Sequence, residues 1–348
     1  MSAPEPGPSG AALAALFLAM LVAAPAARAN DLTDLKDDFD SLETGESAVP
    51  IAGYDAVNGW VVGGAGFMYS DRQPGINAGL FFVSNFGDFN SATLNYEQRG
   101  TDAWYFGLHL LVEQAYDYYF GEGDLTSPLN PLVVHQHHYE AKPAVRYRLL
   151  RHFSAGVFID YRARQEVGSQ LFPNEASGAP GLHLDWDTRD KYINTRKGDF
   201  FQLEVYGRPG EDYFSQETLD LRRYIRLSRV WTLASHVSAD LSQGTPSYLR
   251  EFRLGGLDLL RGYQGNRFRG DELLVDQEEL RLIVKKWISV NLSVDAGDIG
   301  EGAFHQLKAS GQVGVRVGIP PDWTQKIRVD YGVGSDQSTW DVQFGEVF

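Results

Sequence analysis

Three short stretches hold the side chains most able to do chemistry. The run LRGYQGNRFRGDELL, residues 260–274, sets Arg261, Arg267 and Arg269 in a Gly-rich frame beside Tyr263 and Phe268. Guanidinium groups in such a frame can grip carboxylates or phosphates through paired hydrogen bonds. The run HQHHYE brings His135, His137 and His138 together, and His135 and His137 would share one face of a strand. No carboxylate spacing completes a recognisable metal site there, so an interfacial or loop cluster is expected. The run DWDTRD packs Asp185, Asp187 and Asp190. No Gly-centred calcium loop follows it, and hydrogen bonding to Arg189 is the expectation. A nucleophile elbow, a phosphate loop and a dinucleotide fingerprint are all absent. The chain is therefore expected to be no enzyme and to use no metal or cofactor.

The elements that position these residues follow from composition and periodicity. The 348 residues carry a net charge of −15, which excludes a nucleic-acid binder dependent on clustered Lys and Arg. The chain has no Cys, so disulfides and thiolate metal sites are excluded as well. Aromatics at 13% and 37 glycines fit a sheet-rich protein with many turns and interfacial rings. Near the start, AALAALFLAMLVAAPAARAND is an apolar run ending in the A-x-A site Ala27-Arg28-Ala29. It predicts a signal peptide over residues 1–29, although Glu5, and no Lys or Arg, precedes it. No later run has the apolar length of a membrane helix, so membrane residence must use strands. Residues 30–47 read as a short acidic leader.

From residue 48 onward, apolar residues alternate with polar or small ones. Trp104, Phe106, Leu108, Leu110 and Val112 share one face of a strand, and Gly107, His109 and Glu113 the other. Ile288, Val290, Leu292 and Val294 likewise oppose Ser289, Asn291, Ser293 and Asp295. The runs VGVRVGI and IRVDYGV put Arg316, Arg328 and Asp330 on the polar side. Period-two alternation sends successive side chains to opposite faces of a sheet. The polar faces carry too many charges for a dry core, where each would cost several kcal/mol unpaired. The expected architecture is an all-β, sixteen-stranded, antiparallel transmembrane β-barrel spanning residues 48–348, closed on itself, apolar outside and wet within. The connections at 117–136 and 243–275 are read as its long loops. In the last segment Trp340, Val342, Phe344 and Phe348 are expected to alternate on one face. Gly345 at one end, and Pro50 and Gly53 at the other, would weaken the ladder joining the last strand to the first.

These residues also carry a family resemblance. GGLDLLRGY resembles the sixth extracellular loop of the BamA/TamA outer-membrane assembly superfamily, also called the bacterial surface antigen family. DWDTRDKYINTRKGDFF resembles its D-x-R-(D/N)…P-x-x-G stretch, with Ile193 or Asn194 where Pro is usual. YDAVNGWVVGG resembles its opening strand pair, and SVDAG a strand motif in which Ser293 replaces an aromatic. IRVDYGVGSDQSTWDVQFGEVF resembles its last two strands and ends in Phe348. The similarity covers about residues 48–348.

The resemblance implies an integral protein of the bacterial outer membrane whose long loop folds back into the lumen. It implies that Arg261, followed by Gly262 and Tyr263, pairs with Asp295, which the alternation independently places on the inner face. Glu279 and Arg281, on the inward face of a neighbouring strand, are candidates to surround that pair. The family normally carries periplasmic POTRA domains, and a member lacking them is expected here. The implied function is insertion or translocation of proteins, or lipid, through a lateral seam. Its partners would be outer-membrane lipid and unfolded outer-membrane protein clients, with the C-terminal aromatic strand as an assembly signal. The alternative is a passive channel or structural barrel plugged by its loop.

Overall fold

The computed structural model describes residues 43–348, apart from 56–57, 73, 101–102, 124–125, 127–128, 130, 169–170, 211–212, 245, 257, 301–305, 321–322 and 345–347. The signal peptide and most of the acidic leader lie outside the described residues. The strands are β1 (Thr44–Asp55), β2 (Gly59–Ser70), β3 (Gly75–Ser84), β4 (Asn90–Arg99), β5 (Trp104–Tyr119) and β6 (Leu132–Leu150). There follow β7 (Phe153–Glu166), β8 (Glu175–Asp187), β9 (Gly198–Arg208), β10 (Phe214–Arg226), β11 (Trp231–Gly244) and β12 (Phe252–Leu254). The chain ends with β13 (Phe268–Gly270), β14 (Glu272–Lys285), β15 (Ile288–Gly300), β16 (Lys308–Gly318), β17 (Lys326–Val333) and β18 (Ser338–Phe344).

Sixteen of these strands form one antiparallel sheet in chain order, and β12 and β13 form a separate hairpin inside the longest connection. That hairpin is not visible in the alternation. Strand ends also differ from expectation: β5 and β6 run on to Tyr119 and back from Leu132, shrinking the expected 117–136 loop. Above the lipid both faces of a strand are wet, so the ladder continues where the apolar alternation has stopped.

Apart from Asp276 and Glu278, which β14 exposes on its outer side, the faces sort as the alternation requires. Trp104, Phe106, Val112, Val157, Ile159, Leu292 and Val294 are exposed, whereas Asp185, Glu279, Asp295, Arg316 and Arg328 are buried. An exterior made mainly of apolar side chains over an interior of charges is stable only when lipid wets the outside. Many of the inner charges are paired. Glu204 receives Lys142 at 2.5 Å, His183 sits 2.8 Å from Asp185 and 3.1 Å from Glu204, and Arg222 chelates Asp220.

The sheet does not close. Among the described residues β1 pairs only with β2, and β18 only with β17. Its two ends nevertheless approach each other, because the Phe344 ring on β18 lies 5.4 Å from that of Phe67 on β2 and 6.3 Å from that of Phe81 on β3. Ring contacts from β18 to β2 and β3 thus stand where a continuous ladder from β18 to β1 was expected.

Candidate functional site: a loop pinned to the polar face

The connection between β11 and β14 leaves one end of the sheet and turns back over its polar face. Its own side chains explain this return. Leu254, Leu260, Tyr263 and Phe268 bury against Leu273, Val275 and Ile299 of β14 and β15, making a small apolar core on the polar face. The β12–β13 hairpin satisfies the backbone on either side. Its partners lie round much of the sheet. Arg250 bonds Asp160 on β7 and the Ser177 carbonyl on β8, Asn266 and Arg269 reach Asp117 on β5, and Asp258 receives Arg328 from β17. One loop can touch strands so far apart in the order only if the sheet curls round it.

At its centre is Arg261, fully buried. Its Nε donates to Asp295 Oδ2 at 2.9 Å and its Nη2 to Asp295 Oδ1 at 2.7 Å, a bidentate pair. The Arg261 backbone N–H also donates to Asp295 Oδ2 at 3.1 Å. Its Nη1 donates to Glu279 Oε2 at 2.9 Å. Glu279 is shared: its Oε1 accepts from Arg281 Nε at 2.6 Å and Asn291 Nδ2 at 2.8 Å, and Arg316 stands 3.4 Å from its Oε2. Arg316 in turn donates to Asp330 at 2.5 Å. Three cations, Arg261, Arg281 and Arg316, thus face three anions, Asp295, Glu279 and Asp330. Near-neutral charge balance is what allows such a cluster to sit away from bulk water.

Backbone geometry seats the loop. Gly262 has φ of 91°, a region that favours glycine, and a Cβ there would lie 2.9 Å from the Gly332 carbonyl carbon. A Cβ on Gly332 would lie 2.5 Å from the Gly262 nitrogen, and one on Gly334 would strike the Tyr263 ring. Loop and β17 therefore touch backbone to backbone. The Gly262 N–H donates to Thr339 on β18 at 3.1 Å, and the Tyr263 hydroxyl accepts from the Ser335 N–H at 3.0 Å. Gly332, Gly334, Thr339 and Gln312 (which donates to Asp295) escape sequence reasoning, since a small residue in a strand signals a close approach without naming the visitor. Arg316 and Asp330 had a signal, their place on the polar face, but no partner.

The C-terminal aromatic set divides. Trp340 and Val342 are exposed on the outer face. Phe344 turns to Phe67 and Phe81 at the seam. Phe348 is buried, its ring 5.0 Å from that of His236 and its carbonyl accepting from Arg281 Nη2 at 3.0 Å. The expectation that all four share one face is corrected. A buried guanidinium and an imidazole on the polar face hold Phe348 inward, so strand parity does not extend to it.

At the opposite end, the connection from β8 to β9 ties neighbouring turns together. Lys191 pairs with Glu43 at 2.9 Å, and the Tyr192 and Ile193 N–H groups donate to Asp71 Oδ1. Asn194 Nδ2 donates to Glu43 Oε2 and to the Thr324 carbonyl, each at 3.0 Å. Asn194 has φ of 53°, which a proline ring cannot adopt. Of the three acids expected to meet Arg189, only Asp187 does, in a chelate; Asp185 meets Arg146 and His183, and Asp190 accepts from the Arg196 and Lys197 N–H groups. His135 stacks on Tyr116 at 4.3 Å, and His138 lies 3.1 Å from Glu140.

Comparison with known proteins agrees with this architecture. The Omp85 superfamily domain matches residues 177–345. No curated protein matches the chain. Among solved structures, BamA from Haemophilus ducreyi lacking POTRA domains 1-3 aligns with a TM-score of 0.57 at 13% identity, over 87% of this chain and 70% of that one. CdiB from Acinetobacter baumannii gives 0.56 at 14% identity, over 87% and 59%. CdiB from Escherichia coli gives 0.61 at 8% identity, over 87% and 62%. The chain thus spans about three fifths of either CdiB chain, and the likeness at these identities is one of fold.

Proposed function

We propose that this integral outer-membrane barrel, whose residues 177–345 form an Omp85 superfamily domain, assists the insertion or translocation of proteins at the outer membrane through the seam between β1 and β18. The observation that carries the reading is that, among the described residues, no ladder joins those strands. Two facing edges with unspent N–H and C=O groups are a template on which an incoming strand can form its own hydrogen bonds. The seam is held instead by side chains, Phe344 against Phe67 and Phe81, whose separation breaks no backbone bond. The buried cluster round Arg261 supports the same reading, since it keeps the β14–β18 wall rigid while the seam parts. The role is mechanical and needs no catalytic group.

The test uses the absence of native cysteine. Phe67→Cys and Phe344→Cys together allow the seam to be bridged by a thiol cross-linker. In vesicles, the unbridged variant should speed the folding of a denatured outer-membrane barrel, and bridging should remove that gain. Equal acceleration with the seam bridged would overturn the proposal. A second reading, a loop-plugged channel, draws on the half-exposed charges Lys142, Arg162 and Arg222 lining the bore. It expects steady conductance in planar bilayers that rises when the 245–271 loop is shortened.

A further inference from the structure

Among the described residues the exposed basic side chains are all at one end of the barrel. Arg72 is in the β2–β3 turn, Arg151 in the β6–β7 turn and Lys197 in the β8–β9 connection. Arg223 and Arg226 close β10, Arg229 follows them, and Lys285 and Lys286 sit at the end of β14. Every other described Lys or Arg is buried or half-buried. This is the end where β1 begins and where the tight turns lie, the periplasmic end of such a barrel. The exposed acids described near that rim are Glu46, Asp190 and Asp199. Of these, Asp190 accepts from the Arg196 and Lys197 N–H groups, and Asp199 pairs with Arg223. The opposite rim exposes Asp88, Glu122 and Asp336, and no exposed Lys or Arg among the described residues. A chain of net charge −15 has thus placed the solvent-facing cations of its described residues in one ring.

The ring is interleaved with apolar side chains. Leu149 and Leu150 are 54% and 70% exposed beside Arg151, and Leu227 is 57% exposed between Arg226 and Ser228. Lys285 lies 5.6 Å over the Trp287 ring. These residues continue the exposed apolar band of the strands, so they stand where hydrocarbon gives way to headgroups. A cation there reaches a phosphate while its neighbour stays in the acyl layer.

We propose that the periplasmic rim is a binding surface for the anionic phospholipid headgroups of the inner leaflet. The Arg and Lys side chains of the β6–β7, β10–β11 and β14–β15 turns hold the phosphates, and Leu149, Leu150 and Leu227 bury against the acyl chains. This goes beyond the proposed seam function and does not depend on it.

The probe is spin-labelled lipid. The protein is placed in phosphatidylcholine vesicles, and the boundary-lipid preference for labelled phosphatidylglycerol over labelled phosphatidylcholine is measured by electron paramagnetic resonance. A basic side chain at an anionic surface is worth about a fivefold change in partitioning. A severalfold preference is therefore expected, falling with salt and lost in R151E/R226E/R229E, whose heat-modifiable migration should show an intact barrel. No preference in the native protein would overturn the proposal, as would a preference unchanged by the three reversals. A preference appearing only after deletion of the acidic residues 31–42 would assign the rim to that segment and would equally overturn it.

Discussion

Replacing Arg261 by alanine is the most direct probe of the loop's attachment, and its magnitude follows from the partners left behind. Asp295 and Glu279 are both fully buried, so neither recovers solvent when the guanidinium is removed. Removing one partner of a buried ion pair costs about 3–5 kcal/mol, mostly because the other charge is stranded. Glu279 would keep Arg281, Asn291 and Arg316. Asp295 would keep Gln312. The stranded charge is chiefly that of Asp295, and the lower end of the range applies. A loss of about 3 kcal/mol raises the undocked population of the loop roughly a hundredfold. Cleavage of a transiently opened segment tracks that population when closing outpaces cutting. Limited proteolysis within residues 245–271 should therefore accelerate by about two orders of magnitude, while the strands stay protected. Arg261→Lys should fall between, since an ammonium keeps the charge but not the two-pronged bond. R261A/D295A should recover part of the loss, because neither charge is then stranded. If Arg261→Ala leaves the cleavage rate within a factor of two or so of the native one, the reasoning about the buried pair fails.

Two further outcomes follow. Gly332→Ala places a methyl against the Gly262 backbone, where no flexible side chain can move away. It should raise loop cleavage as overpacking of about 1–3 kcal/mol would, whereas Gly311→Ala on β16, with open space round it, should not. The third concerns Glu251, whose Oε2 lies 3.8 Å from Arg269 in the same loop. Burial pushes its carboxyl up from 4.5 to about 7; Arg269 and Arg253 oppose the shift, and Glu122 and Asp271 add to it. The docked loop then binds a proton that the undocked loop releases, so docking should weaken as pH rises from 4.5 through 7 and level off above. Loop cleavage corrected for protease activity should rise across that window, and Glu251→Gln should flatten it.

Much of the fold is legible in the sequence because it rests on a local rule. Alternation at period two assigns each side chain of a strand to lipid or to water without knowledge of its neighbours. Asp295, Arg316, Arg328 and Asp330 were placed on the wet face in that way, and sixteen strands could be counted. What a polar side chain meets there is decided by residues far off in the chain. Arg261 and Asp295 are 34 positions apart, and Glu43 and Asn194 are 151 apart. No local pattern encodes those encounters. Only the curling of the sheet round its loop presses Gly332 on Gly262 and seats Gly334 against Tyr263. Only the approach of β18 to β2 and β3 turns Phe344 off the outer face, only Arg281 and His236 hold Phe348 inward, and among the described residues no ladder joins β1 to β18. A strand's two faces are a property of its own backbone, whereas closure, seams and buried pairs are properties of the whole circuit of strands.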